Sequence, residues 1–260
     1  MTNLTFLGVE GYPQGNRETI SILVEHNNIR MLLDCGGSII RQLDRRGLKA
    51  SDIDGVFISH LHADHSSGLP ILLYSILMER FEQRASGPKV IAILGEQVLL
   101  EPLIGYCKAA YPALFTVDNP VRANLRHLDF HHPFEFENGI TIDSAPMSHT
   151  VKGASIALTC ENIRICYTAD TRQTDDLEEL AQGSQVLICN VFGCDETVAN
   201  QAGFLSATGA AKLAVRVGAS KLIMLHLYCD VDRAKALEAA KTIFSGDIVV
   251  PTNGVSMTLD

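Results

Sequence analysis

The chain has 260 residues, of which 47% are hydrophobic and 20% charged, and its formal net charge at pH 7 is −9. This length and composition are typical of one large α/β domain, so we predict a single domain over residues 1–260. The acidic balance and the lack of a Lys/Arg-rich run argue against extended contacts with nucleic acid, whereas small anionic substrates remain open.

The sequence also carries information on the cellular compartment. Its longest apolar run, residues 68–78, is far shorter than a membrane span, and its first residues lack the pattern of a signal peptide. Seven cysteines are spread along the chain without a C-x-x-C pair, which predicts reduced, mostly buried thiols. We therefore expect a cytoplasmic protein with no membrane contact, and we interpret Cys229 as a core thiol.

Strands and helices alternate along the first half of the chain. The opening "LTFLGVE" and the pair "TISILVEH" and "IRMLLDCG", joined at Asn27 and Asn28, predict a sheet edge with a hairpin. A helix is predicted over "SIIRQLDRRGLK", followed by the buried strand "DGVFIS" and the helix "SGLPILLYSILMERF". The strand "KVIAILG" then leads into a helical stretch within residues 95–114.

The second half becomes β-rich from about residue 127 and returns to alternating strands and helices near its end. It contains the hairpin "SIALTCENIRICYTAD" and then "QVLICNVFG", "SATGAAKLAVRVG", "KLIMLHLY" and "DRAKALEAAKTIF". Two halves that are each β-rich first and α/β later predict two stacked sheets with helices outside.

The segment "ISHLHADHSSG" places His60, His62, Asp64 and His65 between a predicted strand and a predicted helix. The expected number of chance H-x-H-x-D-H matches in a chain of this composition is roughly one in a thousand or less. Residues two apart in an extended stretch project to the same side, so His60 and His62 can hold one metal ion. Asp64 and His65 fall where the helix begins and point toward a neighbouring position, so one loop can serve two ions.

Further candidate ligands stand at later strand ends: His149 after "GITIDSA", Asp170 after "ICYTA" and His226 after "KLIML". An ionisable side chain at the end of a buried strand is costly to desolvate unless it is paired or bound. Taken singly, each also fits ordinary structure, as a hydrogen-bonded core histidine or as a turn or cap aspartate. Together with the loop they supply the roughly seven ligands that two four- or five-coordinate ions need.

The order of "HLHADH", His149, Asp170 and His226 resembles the metallo-β-lactamase-fold hydrolases, and "RETISILVE" with "MLLDCG" resembles their ribonuclease Z-like branch. The resemblance covers nearly the whole chain and implies a four-layer αββα sandwich with a two-metal centre at one rim of the sheets. It also implies a homodimer. It assigns one ion to His60, His62 and His149, the other to Asp64, His65 and His226, and a bridging role to Asp170.

Asp34, in "LLDCGG", matches a position of this family that supports the ligand loop from behind. The same residue could also simply cap the helix that follows it. The remaining histidines match no ligand position, and we expect them to be structural or exposed: His26, His127, His131 and His132.

The chain departs from ribonuclease Z where those enzymes carry a Glu and a His that assist the leaving group. Cys189, in "LICNVF", stands at the Glu position, and Phe204, in "GFLS", stands at the His position. Neither side chain can transfer the proton as the carboxylate and the imidazole do. No Gly/Pro-rich insertion suits an arm that grips tRNA, so we expect no efficient processing of tRNA 3′ ends.

Charge at the predicted centre favours an anionic substrate. Two divalent ions, less two carboxylates and one hydroxide, leave a net charge of about +1 beside the substrate. Arg17 and Lys152 are candidate substrate contacts, although both also fit ordinary surface positions. Residues 101–126 could form either a lid or an amphipathic packing layer, and we favour the packing layer.

These observations predict a dinuclear hydrolase of a phosphodiester or similar small anionic ester. Zinc is favoured for the two ions, with Mn²⁺ or Fe²⁺ as alternatives. A metal-bridging hydroxide would attack the ester, and Asp64 would orient this nucleophile as well as bind its ion. Two alternatives remain: a lactone, thioester or lactam hydrolase on the same centre, and a metal-bound sensor or partner-binding protein without turnover.

Overall fold

The N-terminal half of the chain builds one seven-stranded sheet, which the C-terminal residues complete. A computed structural model describes residues 1–13, 15–82, 89–115, 121–227 and 233–259. Asn27 and Asn28 adopt φ angles of 46° and 67°, as a tight two-residue hairpin turn requires. In spatial order the strands are β14 (Ser256–Leu259), β1 (Thr2–Gly8), β2 (Ser21–His26), β3 (Ile29–Leu33), β4 (Gly55–Phe57), β5 (Lys89–Gly95) and β6 (Val121–His127).

The second half builds another seven-stranded sheet, antiparallel in its first part and parallel in its last. The carboxyl ends of its parallel strands meet at one edge, as do those of β3 and β4 in the first sheet. In spatial order its strands are β13 (Asp247–Val249), β12 (Lys221–Leu225), β11 (Val186–Asn190), β10 (Ile163–Tyr167), β9 (Ala154–Cys160), β8 (Ile140–Pro146) and β7 (Phe134–Glu135).

Eight α-helices lie within the described ranges, and several begin at the capping residues that their sequences predict. The side chain of Thr174 accepts a hydrogen bond from the Leu177 amide, and that of Ser206 accepts one from the Gly209 amide. The helices are α1 (Ile39–Asp44), α2 (Ala63–Ser66), α3 (Leu69–Glu82), α4 (Gln97–Ala110), α5 (Asp175–Ala181), α6 (Glu196–Ala202), α7 (Ala207–Val217) and α8 (Arg233–Lys241).

Three hydrophobic clusters separate four layers. The central cluster lies between the sheets and includes Phe6, Phe57 and Tyr167. A second cluster joins the first sheet to α1, α3 and α4, and a third joins the second sheet to α5, α7 and α8. Burial of apolar surface in all three, at about 25 cal/mol per Å², holds the layers together. The predicted αββα sandwich is thus confirmed.

The secondary structure differs from the sequence-based prediction in several places. The strand β6 and the helices α5 and α6 were not predicted, and further differences concern short elements. The helix predicted from residue 67 is preceded by the separate short helix α2, and α3 begins only at Leu69. The strands β13 and β14 were not predicted, because three or four residues with mostly exposed or half-buried side chains give no alternating pattern. Among the described helices, none combines the length and apolar character that crossing a bilayer requires.

Five of the six described cysteines are buried, and Cys194 is partly exposed. Burial raises the pKa of the Cys107 and Cys160 thiols to about 11 and that of Cys166 to about 12. A thiol with a pKa of 11 is only about 0.1% thiolate at pH 8, and the thiolate is the reactive form. These buried thiols are therefore poor nucleophiles in the folded chain.

When the folded Cys229→Ser variant is treated with a disulfide reagent at pH 8, we expect one thiol, that of Cys194, to react rapidly. The variant is needed because Cys229 lies outside the described residues. Absorbance of the released thiolate gives the count, and the additional change Cys194→Ser should remove the rapid phase. A second rapid thiol would contradict the burial described above.

Candidate metal centre

All seven predicted ligands lie together at the rim where the parallel strands of both sheets end. The residues of "HLHADH" follow β4, with Asp64 and His65 in the first turn of α2. The other three follow strands of the second sheet and lie at the same rim: His149 after β8, Asp170 after β10 and His226 after β12. The strand-end pattern in the sequence thus brings together residues that are far apart in the chain.

The ligand atoms form two groups, and within each group the atoms lie within 4.8 Å of one another. The first group is His60, His62, His149 and Asp170, and the second is Asp64, His65 and His226. In the second group Asp64 Oδ2 lies 3.1 Å from His226 Nε2 and 3.5 Å from His65 Nε2. Two groups of three or more N and O ligand atoms therefore lie side by side.

Asp170 stands between the two groups. Its Oδ2 lies 3.5 Å from Nε2 of both His65 and His226 in the second group. The same atom lies 3.7 Å from His60 Nε2 and 3.8 Å from His149 Nε2 in the first group. One carboxylate oxygen is thus within 4 Å of four imidazole nitrogens, a position from which it can reach two ions.

Three of the imidazole rings form hydrogen bonds through Nδ1 and direct their Nε2 atoms toward Asp170. His65 Nδ1 donates to Asp34 Oδ2 at 2.7 Å, and His149 Nδ1 donates to the Gly203 carbonyl at 2.9 Å. The Ser59 hydroxyl donates to Asp34, so its oxygen accepts from His60 Nδ1 at 3.0 Å. When these three rings are neutral, their hydrogen bonds keep the proton on Nδ1, so Nε2 is the nitrogen left for a metal ion.

The surroundings of the Nε2 atoms show whether the site fits a metal ion. Within the described part of the chain, Nε2 of His60 and Nε2 of His65 are buried and have no hydrogen-bond partner. A buried polar atom without a partner is costly unless a ligand satisfies it. Imidazoles and carboxylates are also common ligands of divalent ions such as zinc. The residues present therefore fit a pair of divalent ions.

Burial and neighbouring charges shift the pKa values of these groups. Burial lowers the pKa of His60, which keeps the ring neutral. Burial alone would raise the pKa of Asp170, but the surrounding histidines hold it well below its usual range. Burial likewise opposes charge on His65, yet Asp170 and Asp34 raise the pKa of this ring well above its usual value. An ion that binds His65 must therefore displace a proton.

Asp34 supports the ligand loop from behind. Its Oδ1 accepts from the Ser59 amide at 2.7 Å, and its Oδ2 accepts from Ser59 Oγ at 2.8 Å and from Tyr167 OH at 2.7 Å, in addition to His65. It does not cap α1, because the N-cap residue of that helix is Ser38. Its φ of 60° is a left-handed conformation, which non-glycine residues adopt where the surroundings enforce it.

Gly203 ends α6 and contacts His149. Its φ is 91°, and its carbonyl accepts a hydrogen bond from His149 Nδ1. A Cβ at this position would lie 2.6 Å from the same nitrogen. A side chain at this position would therefore displace the His149 ring.

We expect Gly203→Ala to weaken zinc binding roughly 10-fold, in the range found when a partner of a metal ligand is changed. The backbone strain alone should lower the free energy of unfolding by about 1 kcal/mol. Gly183→Ala is the matched control, because Gly183 has a φ of 71° and nothing lies within 4 Å of its added Cβ. Competition with a coloured chelator measures the affinity. Equal zinc affinities in the two variants would show that Gly203 does not position His149.

The two predicted substrate contacts differ in their surroundings. Arg17 lies against Tyr12, with its Nη1 3.4 Å from the phenol oxygen, and lines a cleft of about 920 Å³. The wall of this cleft also includes Arg41 and Asp64, so the cleft opens beside the ligand groups. Lys152 is exposed, and no contact described for it joins it to a ligand side chain.

Phe204 and Cys189, the two expected departures from ribonuclease Z, differ in whether they face the ligand groups. The Phe204 ring lies beside the site, with its centroid 4.9 Å from that of His149 and 5.1 Å from that of His226. Cys189 does not face the site, because its side chain packs in the outer cluster between the second sheet and its helices. The placement of Cys189 at a catalytic position is therefore wrong. The next residue of β11, Asn190, faces the site instead, with its Nδ2 2.8 Å from Asp170 Oδ1.

The other histidines lie apart from the ligand groups. His26 is buried with its Nδ1 2.9 Å from Thr2 Oγ1, whereas His127, His131 and His132 are exposed. Within residues 101–126, the described helix α4 packs its apolar face into the outer cluster of the first sheet, as a packing layer does. Residues 116–120 of this stretch lie outside the described ranges.

Comparison with known proteins agrees with this fold. The model of a family described as "Anti-Pycsar protein Apyc1" matches residues 2–195. Ribonuclease Z of Methanothermobacter thermautotrophicus is 26% identical, over 94% of this chain and 92% of its own. The probable metallo-hydrolase YhfI of Bacillus subtilis is 24% identical over 94% of each chain.

Solved structures show the same architecture. The crystal structure of the metallo-β-lactamase fold protein YhfI from Bacillus subtilis matches with a TM-score of 0.83 at 22% identity, covering 98% of both chains. That of human tRNase Z, short form, matches with a TM-score of 0.80 at 19% identity, covering 99% of both chains. The chain therefore has the metallo-β-lactamase fold.

Proposed function

The chain belongs to the anti-Pycsar protein Apyc1 family and is a metal-dependent hydrolase of the metallo-β-lactamase superfamily, and we propose that it cleaves a phosphodiester or similar small anionic ester. The observation that carries the proposal is the position of Asp170 Oδ2 within 3.5–3.8 Å of four Nε2 atoms. This geometry suits a carboxylate shared by two ions. Zinc is the metal that the donor set favours.

The proposed ligand assignment follows the two groups of atoms. His60, His62 and His149 would hold one ion, Asp64, His65 and His226 would hold the other, and Asp170 would contact both. Bound divalent ions would lower the pKa of a water and stabilise negative charge that develops on the ester. The chain's own task is to hold these seven groups in place and to orient the reactants.

Asp64 is the residue that connects the ligand groups with the cleft. Its carboxylate oxygen lies 3.1 Å from His226 Nε2, and the same residue lines the cleft. The neighbouring histidines outweigh burial and lower the pKa of Asp64, so it is ionised at neutral pH. An ionised carboxylate here can accept a hydrogen bond from an attacking water and direct its lone pair toward a substrate in the cleft.

The cleft wall carries the guanidinium groups of Arg17 and Arg41 beside the carboxylates of Glu18, Asp44 and Asp64, so the proposed ions would supply the net positive charge that attracts an anionic substrate. Arg41 is held in place by the buried carboxylate of Glu18, with its Nη2 2.7 and 2.9 Å from the two oxygens. A ribonuclease, as one relative is named, is by definition a phosphodiester hydrolase, which favours this ester among the anionic ones. The apolar Phe204 ring beside the ligands supplies no proton, so good leaving groups should react fastest.

The test compares zinc-loaded and metal-stripped protein on bis(p-nitrophenyl) phosphate and on lactone, thioester and lactam substrates. We expect zinc-dependent release of nitrophenolate from the diester and much slower turnover of the neutral substrates. Turnover confined to a neutral substrate would support the alternative hydrolase, and no turnover despite full metal loading would support a sensor. A precursor tRNA is added to the panel, and we expect no efficient cleavage at its 3′ end.

A further inference from the structure

A chain of hydrogen bonds runs behind the ligand groups from Asp34 to Asp170. Tyr167 OH lies 2.7 Å from Asp34 Oδ2, Asn190 Nδ2 lies 3.2 Å from Tyr167 OH, and Asn190 Nδ2 also lies 2.8 Å from Asp170 Oδ1. All four side chains are buried. Tyr167 and Asn190 thus join the two carboxylates that lie behind and between the ligands.

The direction of each bond in this chain follows from the chemistry of its ends. Ionised carboxylates only accept, so the Tyr167 hydroxyl donates to Asp34 and its oxygen is left to accept. The Asn190 amide nitrogen carries two hydrogens, one for Tyr167 and one for Asp170. The flipped amide would place its carbonyl oxygen 2.8 Å from a carboxylate oxygen, which is repulsive. The orientation of Asn190 is therefore determined by its neighbours.

This orientation controls which oxygen of Asp170 faces the ligands. Asn190 occupies Oδ1, and Oδ2 is the atom that lies within 4 Å of the four imidazoles. Asp170 follows Ala169, whose φ of 52° is strained, so the backbone around it depends on such contacts. We propose that Asn190 is a positioning residue that keeps the Asp170 carboxylate between the two ligand groups. This inference rests on the proposed two-metal function.

The principal test replaces Asn190 with leucine, which is similar in volume and has no donor. Asn190→Leu should weaken binding of the more weakly held zinc ion about 10- to 100-fold, as loss of a hydrogen-bond partner behind a metal ligand does. Competition with a coloured chelator measures zinc affinity. The absorption bands of the Co²⁺-loaded protein report the ligand geometry, which a merely structural role would not alter. We expect both readouts to change.

Cys189→Ala is the matched control on the same strand. Its side chain packs in the outer cluster, so this variant should lose stability through a cavity and keep both zinc affinity and the Co²⁺ spectrum. Asn190→Leu with wild-type affinity and an unchanged spectrum would overturn the proposal. If the wild-type chain itself binds fewer than two ions, the proposed function fails instead.

Tyr167→Phe is a second variant that keeps the buried ring and removes only the hydroxyl. It should weaken zinc binding less than Asn190→Leu, because the Asn190–Asp170 bond remains. Combined with Asn190→Leu it should add little, since both changes break one network. If Asn190→Leu does not fold, Asn190→Ala, which removes the same donor without adding bulk, decides the question, and unchanged affinity with an unchanged Co²⁺ spectrum in that variant would then overturn the proposal.

Discussion

Asp170→Ala should reduce the bound metal from about two ions per chain to one or none and lower hydrolysis more than about 100-fold. The expected loss is large because one oxygen of this carboxylate lies within 4 Å of four of the five ligand imidazoles, two in each ligand group. Metal analysis of the purified protein gives the stoichiometry, independently of activity.

Two further variants serve as comparisons for Asp170→Ala. Asp176→Ala breaks a surface pair in which the aspartate lies 3.2 Å from His131 Nε2, and it should leave two ions bound. His62→Ala removes a ligand of the first group alone and should leave one ion. Full retention of two ions in Asp170→Ala would exclude a bridging role for this residue.

Phe204→His is expected to accelerate cleavage of alkyl diesters up to about 100-fold relative to aryl diesters. Nitrophenolate leaves without a proton, whereas an alkoxide needs an acid, and an imidazole at this position would stand about 5 Å from the rings of His149 and His226. The measurement is the rate ratio of the two diester types in the wild-type and variant proteins.

Phe204→Leu serves as the control, because it changes the shape of the ring pocket without adding an acid, and its rate ratio should match that of the wild type. Zinc affinity is measured first, since an imidazole at position 204 could bind an ion instead of the leaving group. An unchanged ratio in folded, fully loaded Phe204→His would mean that this position does not face the leaving group.

The seven proposed ligands could be identified from the sequence because each carries its chemistry in its residue type and stands at the end of a recognisable strand. The residues behind them carry no such signature. Asn190 is one position away from Cys189, and choosing between them requires knowing which face of β11 meets the other sheet. Gly203 is visible as a helix-ending glycine, but its contact with His149 joins residues that are 54 positions apart.

The strand β14 illustrates a different limit. Its four residues pair with β1 near the beginning of the chain, and local pattern cannot reveal a partner so distant in sequence. Helix α2 also has only four residues, and its boundaries follow from the way the ligand loop packs rather than from helix propensity. The layers were predictable from periodicity, whereas these connections depend on tertiary packing.

Each ligand group draws on both halves of the sandwich: residues 60–65 come from the first sheet, and His149, Asp170 and His226 come from the second. Each bound ion would therefore act as a cross-link between the sheets, closing loops such as the one between Asp64 and His226, which are 162 positions apart. Metal binding and docking of the two sheets then become one coupled equilibrium. A chelator would loosen the sandwich itself as well as stop hydrolysis.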